Sequence, residues 1–213
     1  YGIDGQTFDV NALQSREAFQ KIGIPDDHKI ILTVIPFIHV EETKNLLTAF
    51  ERVAIKKPNT GLVIVGEGPN QKELEAHMLN LALASKVWFV NPSDPELVDR
   101  FIKNCDVYVN LYSKSSGFEA TVLEAMAAEK TVIASDIGTS HQVIENGVDG
   151  FLLRPTEIAA LSRLLLQIVS NQIDTRAIGI RARQKILKMF DNNQMVEQTI
   201  EAYKKIIKKS GIN

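Results

Sequence analysis

The residues with the clearest chemical potential lie in one run, SKSSGFEATVLEAMAAEKTVIASDIG, residues 113–138. Ser116 and Glu119 stand at the S-x-x-E spacing of a capping box, in which Ser116 caps a helix and Glu119 reaches back to it. That account of Glu119 is purely structural. Phe118, Val122, Ala125 and Met126 recur at helical spacing and mark the buried stripe of that helix. Glu124 falls off the stripe, on the side of Gly117 and Thr121, where its carboxylate can flank a ligand cleft or simply meet solvent. The free N–H groups and positive dipole end of such a helix make a ready site for a phosphate. A second candidate is VIVGEGPNQKELE, where Gly66 and Gly68 flank Glu67. It reads either as a glycine turn that lets a ligand approach the backbone or as a plain strand-to-helix turn. Gln71 stands where a full G-x-G-x-x-G fingerprint has its third glycine.

The elements that must position these residues alternate regularly. Apolar, β-branched runs at 30–35, 62–66, 87–90, 106–111, 131–135 and 150–153 predict six strands. Helical patterns fall at 42–57, 70–84, 94–104, 117–129, 139–146 and 157–170. Buried strands alternating with helices imply an α/β fold: a doubly wound, six-stranded parallel sheet of Rossmann-like type. Ligands of such sheets bind beyond the carboxyl ends of the strands. No strand follows Leu153; 175–190 and 192–209 predict extra C-terminal helices. The last carries Val196, Ile200, Tyr203 and Ile207 on one stripe. Its final turn is basic through Lys204, Lys205, Lys208 and Lys209. That turn suits the helix dipole, with membrane-surface contact as the alternative.

Composition narrows the function. The 213 residues carry a net charge of −2, with 45% apolar and 23% charged residues. That is ordinary for a globular domain and gives no basic excess for nucleic acid. The single Cys105 cannot form an internal disulfide, which fits a reducing, cytoplasmic setting. No apolar run approaches the ~20 residues of a membrane-spanning helix. The opening YGIDGQTFDV reads as the interior of a longer protein. No His/Cys/Asp cluster suggests a metal site.

The segment GFEATVLEAMAAEKTVIASDIG followed by VIENGVDGFLL resembles the donor-binding core of the family-4 retaining glycosyltransferases of GT-B fold. The resemblance covers nearly the whole chain, from Tyr1 almost to the C-terminus, and residues 1–213 read as one such domain. YGIDGQTF is similar to the family's entry into its C-terminal domain, LVIVGEGPNQKELE to its second strand, turn and helix, and VWFVNPSDPELVDRFIKNCDVYV to its third and fourth strands. It implies a domain that binds a nucleotide-diphosphate-sugar donor. It also implies transfer of the sugar to an unknown acceptor (glycan, lipid or protein) with a partner N-terminal domain of the same protein, and no cofactor. It assigns the ribose hydroxyls to Glu124, the second Glu of the family's Glu-x7-Glu motif. It assigns the donor sugar and diphosphate to the backbone of Gly117 and Phe118, and the base to the region of Val90, Asn91 and Pro92. The full site expectation is Glu124, Gly117, Phe118, Ser116, Glu119, Thr121, Lys114, Asn91 and Gly66.

Three positions depart from the family. Ser116 stands where the motif has its first Glu. Pro36 and Glu41 stand where an Arg and a Lys clamp the diphosphate. Preorganised charge is commonly the largest catalytic contribution, so this loss weighs heavily. Lys44 or Lys114 could replace the clamp. His39 and His141 also lie at the active end and read as surface or capping residues. The expectations are therefore an active transferase whose isolated domain is inactive, or a degenerate, non-catalytic subunit. An unrelated doubly wound nucleotide-binding enzyme is a third.

Overall fold

The computed structural model describes residues 15–38, 40–91, 94–112, 119–190, 196, 200, 201, 203, 204 and 206. The strands are β1 (Lys29–Val34), β2 (Thr60–Val65), β3 (Val87–Val90), β4 (Val107–Asn110), β5 (Thr131–Ser135) and β6 (Phe151–Leu153). The helices are α1 (Glu17–Lys21), α2 (Glu41–Lys56), α3 (Gln71–Asn80), α4 (Pro95–Asn104), α5 (Ala120–Ala127), α6 (Ser140–Val143), α7 (Ile158–Val169) and α8 (Thr175–Met189). The expected strands and the helices through 175–190 are present, with edges trimmed or moved by a few residues. The last predicted helix falls mostly outside the described residues. Val196, Ile200, Glu201, Tyr203, Lys204 and Ile206 are helical.

All six strands are parallel, in the order β3-β2-β1-β4-β5-β6. One face of the sheet carries Ile31, Leu62, Ile64, Val107, Val109 and Ile133 against α2, α3 and α7. The other carries Ile30, Leu32, Tyr108, Val132 and Ala134 against α1, α4, α5 and α8. Two buried faces explain the continuous apolar runs.

The chain reverses its direction of winding between β1 and β4. At the amino end these strands are tied by Asp106, which lies one residue before β4. Its carboxylate accepts from Ile30 N at 2.8 Å, Lys29 Nζ at 2.9 Å and Arg16 at 3.0 Å. The ladder then runs only through Ile31↔Val107 and Leu32↔Tyr108. β1 goes on paired to β2 as far as Val34↔Val65, and β4 to β5 as far as Asn110↔Ala134. The two strands therefore part at their carboxyl ends, as expected of the ligand crevice in this fold.

α8 is pinned on the turn between α5 and β5. A Cβ on Gly179 would lie 2.0 Å from the Glu129 carbonyl oxygen. Gly→Ala inside a helix ordinarily gains about 1 kcal/mol. Gly179→Ala is expected instead to cost about 1–3 kcal/mol by overpacking, measured by urea denaturation.

Candidate functional site

Each wall of the crevice is built by the strand that ends in it. On the β1 side, the exit loop is clasped by the turn after β2. Phe37 N donates to Glu67 O at 2.9 Å, and Asn70 Nδ2 donates to the carbonyls of Phe37 and Ile38 at 3.0 and 2.9 Å. Phe37 is fully buried and packs edge-on against Phe89, ring centroids 5.9 Å apart. The glycines of GEGPN serve this clasp. A Cβ on Gly66 would meet Ile35 O at 2.0 Å, and one on Gly68 would meet the Phe37 backbone at 2.8 Å. The close approach of the chain's own β1 loop is by itself a reason for glycine at both positions.

α2 starts in this wall and neutralises its own amino end. Glu41 and Glu42 occupy its first turn, Glu41 exposed and Glu42 buried. Lys44, one of the two cations considered for a diphosphate clamp, is committed elsewhere. It bonds Glu73 of α3 and lies 3.5 Å from Glu41. Those carboxylates, Glu73 foremost, raise its pKa above the ordinary lysine value. Pro36 is exposed in the loop after β1.

The β4 side leads into α5. The helix begins at Ala120, and Glu119 is its cap residue, with extended φ/ψ of −71° and 114° and no side-chain capping bond. The capping-box expectation is therefore corrected. Glu119 stands at the cap itself and not three residues inside the helix. Thr121 does not face open space either. Its Oγ1 accepts from Tyr108 Oη at 2.7 Å. Tyr108 is fully buried, and burial pushes its phenol well above the usual range, so it stays a neutral donor. This bond ties the first turn of α5 to the floor of β4. Glu124, one turn further, is half-buried and is not a free carboxylate. No acidic residue occupies the first turn of α5 itself.

Ser116, Gly117, Phe118, Lys114, His39 and Pro92 lie outside the described residues. Asn91 is exposed just after β3, two strands from the crevice. His141 sits in the short α6 with no side-chain cap at that helix start. Asn110, passed over in the sequence as part of the strand run DVYVNL, is a buried polar residue at the mouth of the crevice. The signal that could have found it is a carboxamide at the carboxyl end of an otherwise apolar run.

Other chemistries fare worse. No group of three or more His, Cys, Asp or Glu among the described residues could hold a metal ion. A polar cleft of about 500 Å³ does open, lined by Arg16, Asp106, Lys130 and Arg176 among others. It lies at the amino end of the sheet, away from the strand ends where this fold binds ligands. Cys105 borders it, but its thiol is buried and bonded to Ile102 O.

The family model for glycosyl transferases group 1 matches residues 14–185. The chain belongs to this family. It is 24% identical over 189 residues to N-acetyl-alpha-D-glucosaminyl L-malate synthase of Bacillus anthracis, covering 89% of this chain and 49% of that protein. A glycosyltransferase from Rickettsia africae superposes with a TM-score of 0.83 at 22% identity, covering 97% of this chain and 56% of the other. Anabaena HepE, solved in complex with UDP and glucose, superposes at 0.80 with 20% identity, over 95% and 55%. The likeness shows a Rossmann-like α/β fold shared with these glycosyltransferases. The chain spans about half the length of the curated relatives it matches.

Burial pushes the Cys105 thiol up to about 12. A raised thiol pKa keeps the native thiol protonated, and its stabilising effect is lost as pH rises through the unfolded value toward the folded one. At pH 8, a disulfide reagent should label native Cys105 on the order of a hundredfold or more slowly than in urea. Equal rates would show that the thiol is accessible.

Proposed function

We propose that this domain binds a nucleotide-diphosphate sugar in the crevice between β1 and β4. With an N-terminal domain of the same protein, it transfers the glycosyl group to an acceptor with retention of configuration. The observation that carries this reading is the parting of β1 and β4 directly beside the start of α5, whose first turn holds no carboxylate. A helix amino end at the switch point whose first turn holds no carboxylate, and whose cap residue Glu119 makes no capping bond, suits a diphosphate. Glu124 is the candidate for the ribose, because one carboxylate can accept from both vicinal hydroxyls. The relatives' names support donor-sugar chemistry, and HepE is solved with UDP and glucose.

Ser116, Gly117, Phe118, Lys114 and Asn91 remain candidate donor contacts, Lys114 as the cation that replaces the clamp. Glu119 and Thr121 are assigned to shaping the start of α5. On this reading the acceptor is held by the N-terminal domain, so this domain on its own should be inactive as a hexosyltransferase. No described helix is long and apolar enough to cross a membrane. We infer a cytoplasmic setting, with the lysine-rich run of Lys204, Lys205, Lys208 and Lys209 as the candidate for membrane-surface contact.

A non-catalytic subunit is the second reading, and a specific observation favours it. Glu41 stands at the head of α2, and Lys44 is held by Glu73. Neither supplies the cation that a departing diphosphate calls for.

Calorimetric titration of the chain with UDP, GDP and ADP tests the donor site. One of them should bind saturably, and Glu124→Ala should weaken it by about tenfold, the loss of a charge-assisted pair of hydrogen bonds. No binding by any of the three overturns the reading. Donor hydrolysis or transfer by the two-domain protein then separates an active transferase from the non-catalytic subunit.

A further inference from the structure

Asn110 ends β4 on the crevice side, two residues beyond the last β1–β4 pair. Strand alternation places it on the same face as Tyr108, the face against which α5 packs. Its side chain is 2% exposed. Its Oδ1 accepts from the backbone N–H of Tyr112 at 3.0 Å. That bond fixes the amide's orientation, because a flipped amide would set its NH2 against a second N–H donor. The Nδ2 group must then point away from the exit loop. The Tyr108 phenol is a polar neighbour on that side. Nδ2 completes no hydrogen bond of full geometry among the described residues, although the Tyr108 phenol oxygen, whose own hydrogen goes to Thr121, lies close enough to interact with it.

A buried donor left unpaired is costly, so its presence at this place needs a partner. The position says which kind. Asn110 is flanked by the opening between the strands and by the first turn of α5, which Tyr108 and Thr121 hold against β4. The described walls carry carboxylates at Glu41, Glu42 and Glu119 and no uncommitted lysine. A neutral amide is a donor that adds no counter-charge of its own. We propose that Asn110 Nδ2 donates a hydrogen bond to a diphosphate oxygen of the bound nucleotide, an inference that rests on the donor site proposed above. It would supply part of the phosphate recognition for which Pro36 and Glu41 offer no cation.

The test compares UDP with uridine, or GDP with guanosine where GDP is the ligand, on the wild-type chain, Asn110→Leu and Asn110→Asp. The leucine removes the donor without adding charge; the aspartate keeps the acceptor for Tyr112 N. Both variants should bind the diphosphate at least about tenfold more weakly. The nucleoside should bind as before, and the free leucine variant, which removes an unpaired donor but also the acceptor of Tyr112 N, should still unfold cooperatively within about 5 °C of wild type. In the ¹⁵N-labelled wild type, which is free of any folding defect, the Asn110 side-chain NH2 resonances should shift on adding UDP and exchange more slowly. Diphosphate affinity unchanged in Asn110→Leu, equal losses for nucleotide and nucleoside, or silent NH2 resonances overturn the proposal. A wild type that binds no nucleotide overturns the donor site itself, a different result from a variant that binds normally.

Discussion

The architecture depends on one asymmetry between two neighbouring strands. β1 and β4 are held together at their amino ends, where the Asp106 carboxylate gathers Lys29, Arg16 and the Ile30 amide. They come apart at their carboxyl ends above Leu32 and Tyr108. The helix after β1 leaves toward one face and the helix after β4 toward the other, so nothing in the sheet fills the gap. A partly buried carboxylate that gathers two cations and a backbone amide ties the strands at one end, and the other end is left open where it can bind.

The two walls of that cleft are electrostatically unequal. α2 closes its own positive end with Glu41 and Glu42. α5 has Ala120, Thr121 and Val122 in its first turn, and the Glu119 at its cap makes no capping bond. The loop after β1 is stiffened by the clasp of Gly66, Gly68 and Asn70, so this wall serves as scaffold. Recognition of an anion falls to the β4 side, through the helix end and neutral donors. This division fits a domain that binds a nucleotide, and it leaves the catalytic demand for positive charge to residues beyond the two walls.

The layered fold was legible in the sequence because buried parallel strands write themselves as uninterrupted apolar runs. IILTVI, LVIVG and TVIAS needed no partner to be read. Strand order was not legible, since no local pattern states that β1 lies beside β4. The site was legible in part. The run around Glu124 announced a helix at a strand end, and the family resemblance gave it a role. Gly66 was ambiguous because its reason is tertiary, a carbonyl of Ile35 that only the folded sheet brings within 2.0 Å. Ser116 and Glu119 had the right spacing for a capping box, but Glu119 took an extended conformation and became the cap itself. Lys44 looked available until α3 brought Glu73 to it. Asn110 was hidden by its own apolar surroundings.

The central claim is that ligand enters at the parting of β1 and β4. Backbone amide NMR of the chain, with and without UDP, tests it most directly. The account predicts shifts concentrated at Val34–Phe37, Asn110–Tyr112 and the first turn of α5. Shifts confined to the amino-end cleft around Arg16, Lys130 and Arg176 would contradict it.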